Sequence, residues 1–153
     1  MTSTIASSDA PWKSFGQSLR LRFIEPHFCH WVFEGKQTAD DMLAAINELG
    51  LFTLSHPLPF VLCDLTRLKE LSHEIRKVSR EASQDIKLSG VAFVGANFHT
   101  RIAMTLLIKG VRLMKREPML PFIFAGSEEE AWNWLHQQGE AGHGRKTEAA
   151  PKS

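Results

Sequence analysis

Pro59-Phe60-Val61-Leu62-Cys63-Asp64-Leu65 is an apolar run broken only by an acid near its end, and Ser72 behind it opens a helix. A strand covered on both faces reads this way, because its alternating side chains must all be apolar. A strand that meets an acid at its carboxyl end, then a loop and a capped helix, is the order of an α/β sheet. In such sheets ligand sites lie beyond the strand ends. The segment therefore sets the fold class as α/β and makes the stretch from Asp64 to Ser72 the first candidate site.

Upstream, Leu19, Leu21 and Phe23 alternate with Arg20, Arg22 and Ile24, which predicts a half-exposed strand. Glu25-Pro26-His27 turns the chain into a second strand, Phe28 to Phe33, and Gly35 closes this hairpin. Thr38 with Asp41 three residues on has the form of a capping box. Ala39, Met42, Leu43, Ile46 and Leu49 then repeat at helical spacing up to a terminating Gly50.

Downstream, Ser72 caps a helix with a narrow apolar stripe of Ile75, Val78, Ala82 and Ile86. Leu88 to Gly95 predicts a strand, with Val91 to Gly95 buried on both sides, followed by a helix from His99 to Arg116. Phe122-Ile123-Phe124 is a last strand, and Ser127 with Glu130 starts a last helix that ends at Gln138. The order is ββαβαβαβα, a small mixed β-sheet with helices packed on it. Residues 1–16, rich in Ser and Thr, are expected to form a flexible arm before a domain over residues 17–138. Residues 139–153 contain no aliphatic side chain larger than alanine and are expected to be disordered.

At 153 residues, with 43% apolar and 23% charged side chains, the chain supports one globular core. A net charge of +1 creates no field that would draw nucleic acid. No apolar stretch has bilayer-spanning length, and Met1 to Ala6 lacks the basic start and apolar core of a signal peptide, so the expected location is cytoplasmic. Cys29 and Cys63 both fall inside predicted strands among apolar neighbours and are expected to be buried free thiols.

Three segments in this order resemble the STAS-like superfamily, and within it the SpoIIAA-like branch related to anti-sigma-factor antagonists. Val61-Leu62-Cys63-Asp64-Leu65-Thr66 is similar to the family's apolar strand closing in Asp-Leu-Ser. Gly90 to Gly95 is similar to the strand before its third helix, and Phe122 to Leu135 to its closing strand and Glu-Glu-Ala-x-x-Trp-Leu helix. The resemblance spans residues 18–138 and implies a non-enzymatic regulatory module that binds a protein partner. In the antagonists a kinase phosphorylates a serine in Asp-Ser-[Ser/Thr]-Gly at the start of the second helix. Here that stretch reads Leu71-Ser72-His73-Glu74-Ile75, without the glycine. Comparison of this branch with Sec14-like lipid-binding domains implies a second reading, a carrier of a lipid-like or apolar ligand.

The residues carry little overt catalytic chemistry. Asp64, Thr66, Ser72 and His73 form the candidate partner face or phospho-switch, since a phosphate at a helix N-terminus meets free N–H groups. The structural reading of Ser72 is an N-cap, and that of Asp64 an acceptor for loop N–H groups. Ser79 is a further hydroxyl. No metal site is expected: on a strand His27 and Cys29 point away from His30, and no Cys-x-x-Cys or His-Glu-x-x-His occurs. Gly90, Gly95 and Gly110 match no phosphate-loop or dinucleotide spacing, and there is no Gly-x-Ser-x-Gly elbow, so no cofactor is implied.

The helix from His99 to Arg116 has more apolar surface than one sheet face needs. Arg101, Thr105, Lys109, Arg112 and Arg116 form a basic stripe, and Met104, Leu107, Ile108, Val111 and Met114 are the candidate dimer or ligand face. A second subunit, an apolar ligand or membrane surface, or the chain's own neighbouring elements would cover it. The expectation is a non-enzymatic SpoIIAA-like interaction module, a homodimer, with the apolar-ligand carrier as the alternative.

Overall fold

β-Branched and aromatic residues fill the strands, and the turns between them select the topology. The computed structural model describes residues 10–56, 58–115 and 120–149, with side chains at 111, 112, 114, 115 and 141–149 excepted. Its elements are β1 (Lys13–Phe15), β2 (Leu19–Ile24), β3 (Phe28–Lys36), α1 (Ala39–Ser55), β4 (Phe60–Glu70), α2 (His73–Ala82), β5 (Gly90–Val94), α3 (Phe98–Lys115), β6 (Phe122–Ala125) and α4 (Glu128–Ala149). The six strands form one sheet in the order of the chain. The first three pair antiparallel and the last four pair parallel, which makes the sheet mixed.

A parallel crossover between neighbouring strands is right-handed. Three successive crossovers running the same way along the sheet therefore place α1, α2 and α3 on one face. Their buried residues, Met42, Ile46, Ile75, Met104 and Ile108 among them, join Leu21, Cys29, Trp31, Phe33, Val61, Cys63 and Phe93 in the larger core. No strand follows α4, so it returns along the other face. There Ala131, Trp132 and Leu135 meet Phe28, Phe60, Leu62, Ala92 and Ala125 in a second core.

Three boundaries differ from the sequence expectation. The expected arm contributes β1, whose Lys13 pairs with Leu21 in the sheet and forms an ion pair with Glu48 of α1. Trp12 beside it stacks over the guanidinium groups of Arg20 and Arg22, 4.5 Å from each, so β2 is not half-exposed. Residues 1–9 of that arm lie outside the described residues. β4 runs to Glu70 rather than Leu65: its pairing with β5 stops at Asp64, but its pairing with β3 continues to Glu70 past two register shifts, between Val32 and Glu34 and between Gly35 and Lys36. The last helix continues to Ala149, past the expected end at Gln138, through Glu140, Ala141, Arg145 and Lys146, which all favour helix. Residues 150–153 lie outside the described residues.

Candidate functional site

The stretch from Asp64 to His73 becomes two separate places once it is folded. Asp64 sits where β5 stops following β4, and its carboxylate accepts a hydrogen bond from the Thr66 backbone N–H at 3.0 Å. Gly95, at φ +78°, passes so close that a Cβ there would lie 2.6 Å from the Thr66 Cα. Only glycine allows that approach. Strand geometry then carries the chain about 13 Å from Thr66 to Glu70 before Ser72 is reached. Ser72 is the N-cap of α2, its hydroxyl accepting from the Ile75 N–H at 3.2 Å, and His73 is the exposed first residue of that helix. Asp64 and Thr66 thus touch, whereas Ser72 and His73 cap a different element. Ser79 is buried, only 8% exposed.

On the α4 face, Asp64 belongs to a polar cluster with no local signal in the sequence. His30 from β3, Asp64 from β4 and Glu128 from α4 bring ligand-type atoms within 4.8 Å of one another. His30 is 4% exposed, and burial, reinforced by Arg22, holds its pKa down to about 4 against the pull of Glu128 and Asp64. The Arg22 Nη2 lies 3.3 Å from His30 Nδ1. A guanidinium only donates, so Nδ1 accepts and the proton of the neutral ring sits on Nε2. A metal bound through either nitrogen would require Arg22 to leave. In this arrangement Arg22 supplies the cation, and Trp132 closes the cluster, with its indole N–H on Glu128 at 3.2 Å and its ring edge-on to His30.

The opposite face holds a cavity. About 140 Å³ of open space lies between the sheet and α1, α2 and α3. Trp31, Phe33, Val61, Cys63, Val91 and Phe93 form its floor, Met42, Ile46 and Leu49 one wall, and Met104, Leu107 and Ile108 another. Arg76, Ser79 and Ser83 add the polar groups, one turn apart along α2 and the residues after it. The lining residues that keep some exposure are Leu71, Arg76, Ser83, Ile86, Leu88 and Leu107. They belong to α2, its flanks and α3, so the mouth opens between those two helices. Burial pushes the Cys63 thiol up to about 12 and the Cys29 thiol well above its ordinary value. Both cysteines are free, and neither is a thiolate at neutral pH.

Of the face expected on the long helix, Met104, Leu107 and Ile108 turn inward to this cavity, and the side chains of Val111 and Met114 lie outside the described residues. The large apolar residues that α3 leaves in solvent are Phe98, Ile102, Leu106 and Leu113, at 70%, 44%, 63% and 79% exposure. Sequence reasoning missed Trp31 and Arg76 as cavity residues. Period-2 and period-3.6 patterns placed both on their elements, but a void between layers has no sequence period. No helix among the described residues is long and apolar enough to cross a membrane.

No family model matches the chain. Among curated proteins it is 34% identical over 92 residues to the ATP-dependent dethiobiotin synthetase BioD of Afipia carboxidovorans, a match over 58% of this chain and 42% of that protein. The match thus spans less than half the length of that relative. Among solved structures it resembles an uncharacterized DUF3478-family protein with a SpoIIAA-like fold from Shewanella loihica PV-4. The TM-score is 0.56 at 18% identity, over 77% of this chain and 92% of that one. The three crossover helices on one face, the single returning helix on the other and this likeness together give the chain a SpoIIAA-like fold.

Proposed function

We propose that the protein is a non-enzymatic binding module that takes a small apolar ligand into the cavity beneath α1, α2 and α3. The observation that carries this reading is the cavity itself: about 140 Å³, walled almost wholly by apolar side chains. A cavity near 150 Å³ with such a lining stays dry and holds a benzene-sized molecule. The open mouth lets a longer tail extend beyond that volume. Against catalysis stand the protonated thiol of Cys63 and the sparse polar lining. A likeness to a synthetase named for ATP raises an enzymatic reading, but the Gly90 to Gly95 spacing runs on into Ala96-Asn97 rather than the Gly-Lys-[Ser/Thr] of a phosphate loop.

A second reading, an interaction module that pairs with another copy of itself, draws support from the outer stripe of α3. Phe98, Ile102, Leu106 and Leu113 fall within one narrow sector of that helix and are exposed. The two readings are compatible, since α3 would face the ligand on one side and the partner on the other. A phospho-switch at Ser72 has less support, because its hydroxyl already caps α2.

Filling the cavity tests the main reading. Titration of the full chain with 1-octanol should raise its melting temperature with one-to-one saturation. Leu107→Trp, a partly exposed lining position, should abolish that shift while the variant still melts cooperatively. An equal shift in the variant would place the alcohol elsewhere.

A further inference from the structure

Two residues that line the cavity each carry a buried donor atom with no hydrogen-bond partner among the described residues. Trp31 is 7% exposed, and its indole Nε1 is buried without a hydrogen bond. The Nε of Arg76 is likewise buried and unpaired. Arg76 is the one charged residue in the lining, and among the described residues no carboxylate forms an ion pair with it. Buried polar groups are normally satisfied, and an exception needs an explanation. Indole and guanidinium donate only, so what they lack is an acceptor. The hydroxyls of Ser79 on α2 and of Ser83 just after it, in line with Arg76, add adaptable donors.

We propose that the occupant is a single-chain amphiphile whose carboxylate is held by Arg76 and Trp31 and whose tail fills the apolar part of the cavity. This rests on the cavity being a ligand site, and it adds the chemistry of the head. A guanidinium matches a carboxylate with two parallel hydrogen bonds. One cation balances one negative charge, which favours a carboxylate over a doubly charged phosphate. The volume holds a tail on the scale of a benzene ring, with further methylenes leaving by the mouth between α2 and α3. Medium-chain carboxylic acids fit this description.

Calorimetric titration of the full chain with octanoate, 1-octanol and octyl phosphate at neutral pH separates the possibilities. Octanoate should bind about tenfold or more tightly than octanol, the margin expected for charge-assisted hydrogen bonds. Arg76→Met should bring the two within about twofold, and Trp31→Phe should weaken octanoate while sparing octanol. Equal binding of acid and alcohol by the unaltered chain overturns the carboxylate assignment and leaves the apolar site standing. Tighter binding of octyl phosphate overturns the choice of head group. Failure of all three to bind overturns both this proposal and the ligand-site reading. The comparison of ligands on the unaltered chain decides the matter even where a variant does not fold.

Discussion

At His30 a neutral imidazole is packed with Arg22 on one nitrogen, Trp132 across its ring, and Asp64 and Glu128 nearby. Its pKa of about 4 lies below the ordinary 6.5, chiefly through burial. The unfolded chain takes up this proton near pH 6.5, whereas the folded chain resists until about pH 4. Stability from this residue is therefore complete above pH 6.5 and is lost as the pH falls through that window, by at most roughly 3 kcal/mol. Urea unfolding across pH 4 to 7 should show this slope, and His30→Gln should flatten it. An unchanged slope would assign the acid sensitivity to other groups. The sequence shows the caps at Thr38, Ser72 and Ser127, because a cap and its partner lie three residues apart. It does not show the His30 cluster, whose members come from β3, β4 and α4 and meet only through strand pairing. Alternation correctly separates His30 from Cys29 but says nothing of what waits on the other face.

Helix α3 illustrates what an element's pattern can and cannot fix. Its length and its start near residue 98 follow from the sequence, and Asn97 accepts the Thr100 N–H at 2.8 Å as its cap. Its rotation does not, because apolar residues occupy most of its circumference and several orientations bury an adequate stripe. The structure turns Met104 and Ile108 inward and leaves Leu106 outside. An acid at Ile108 would be buried without a partner, so Ile108→Asp should cost about 3 kcal/mol or more. Leu106→Asp should change stability by less than about 0.5 kcal/mol. If copies of the chain pair through α3, the same variant should shift the protein from dimer to monomer in light scattering. Equal destabilisation by both substitutions would mean that the helix is rotated otherwise. β1 escaped sequence reading for a simpler reason, since three residues are too few to show a period of two. The extension of β4 was hidden by Thr66, Arg67, Lys69 and Glu70, which look like a loop, although Arg67, Leu68 and Glu70 pair with Glu34, Gly35 and Lys36 of β3.

For the molecule as a whole, handedness does most of the arranging. Alternating strands and helices, with neighbours in chain order, leave α1, α2 and α3 on one side and α4 on the other. That much is legible from the run at Pro59 to Leu65 and the segments around it. The space between the layers is not, because a void depends on how side chains of different elements meet, and Trp31 and Arg76 lie on different elements. The same layering gives the protein two unlike faces, a polar cluster of His30, Asp64, Glu128 and Arg22 under Trp12 and Trp132 and an apolar chamber, with buried unpaired polar atoms on both. The chamber is the part that asks for a ligand. A native mass spectrum of the full chain, freshly purified and then after incubation with 1-octanol, tests this most directly. One small apolar molecule per chain is expected, released on denaturation and absent from Leu107→Trp. A bare chain in both samples would contradict it.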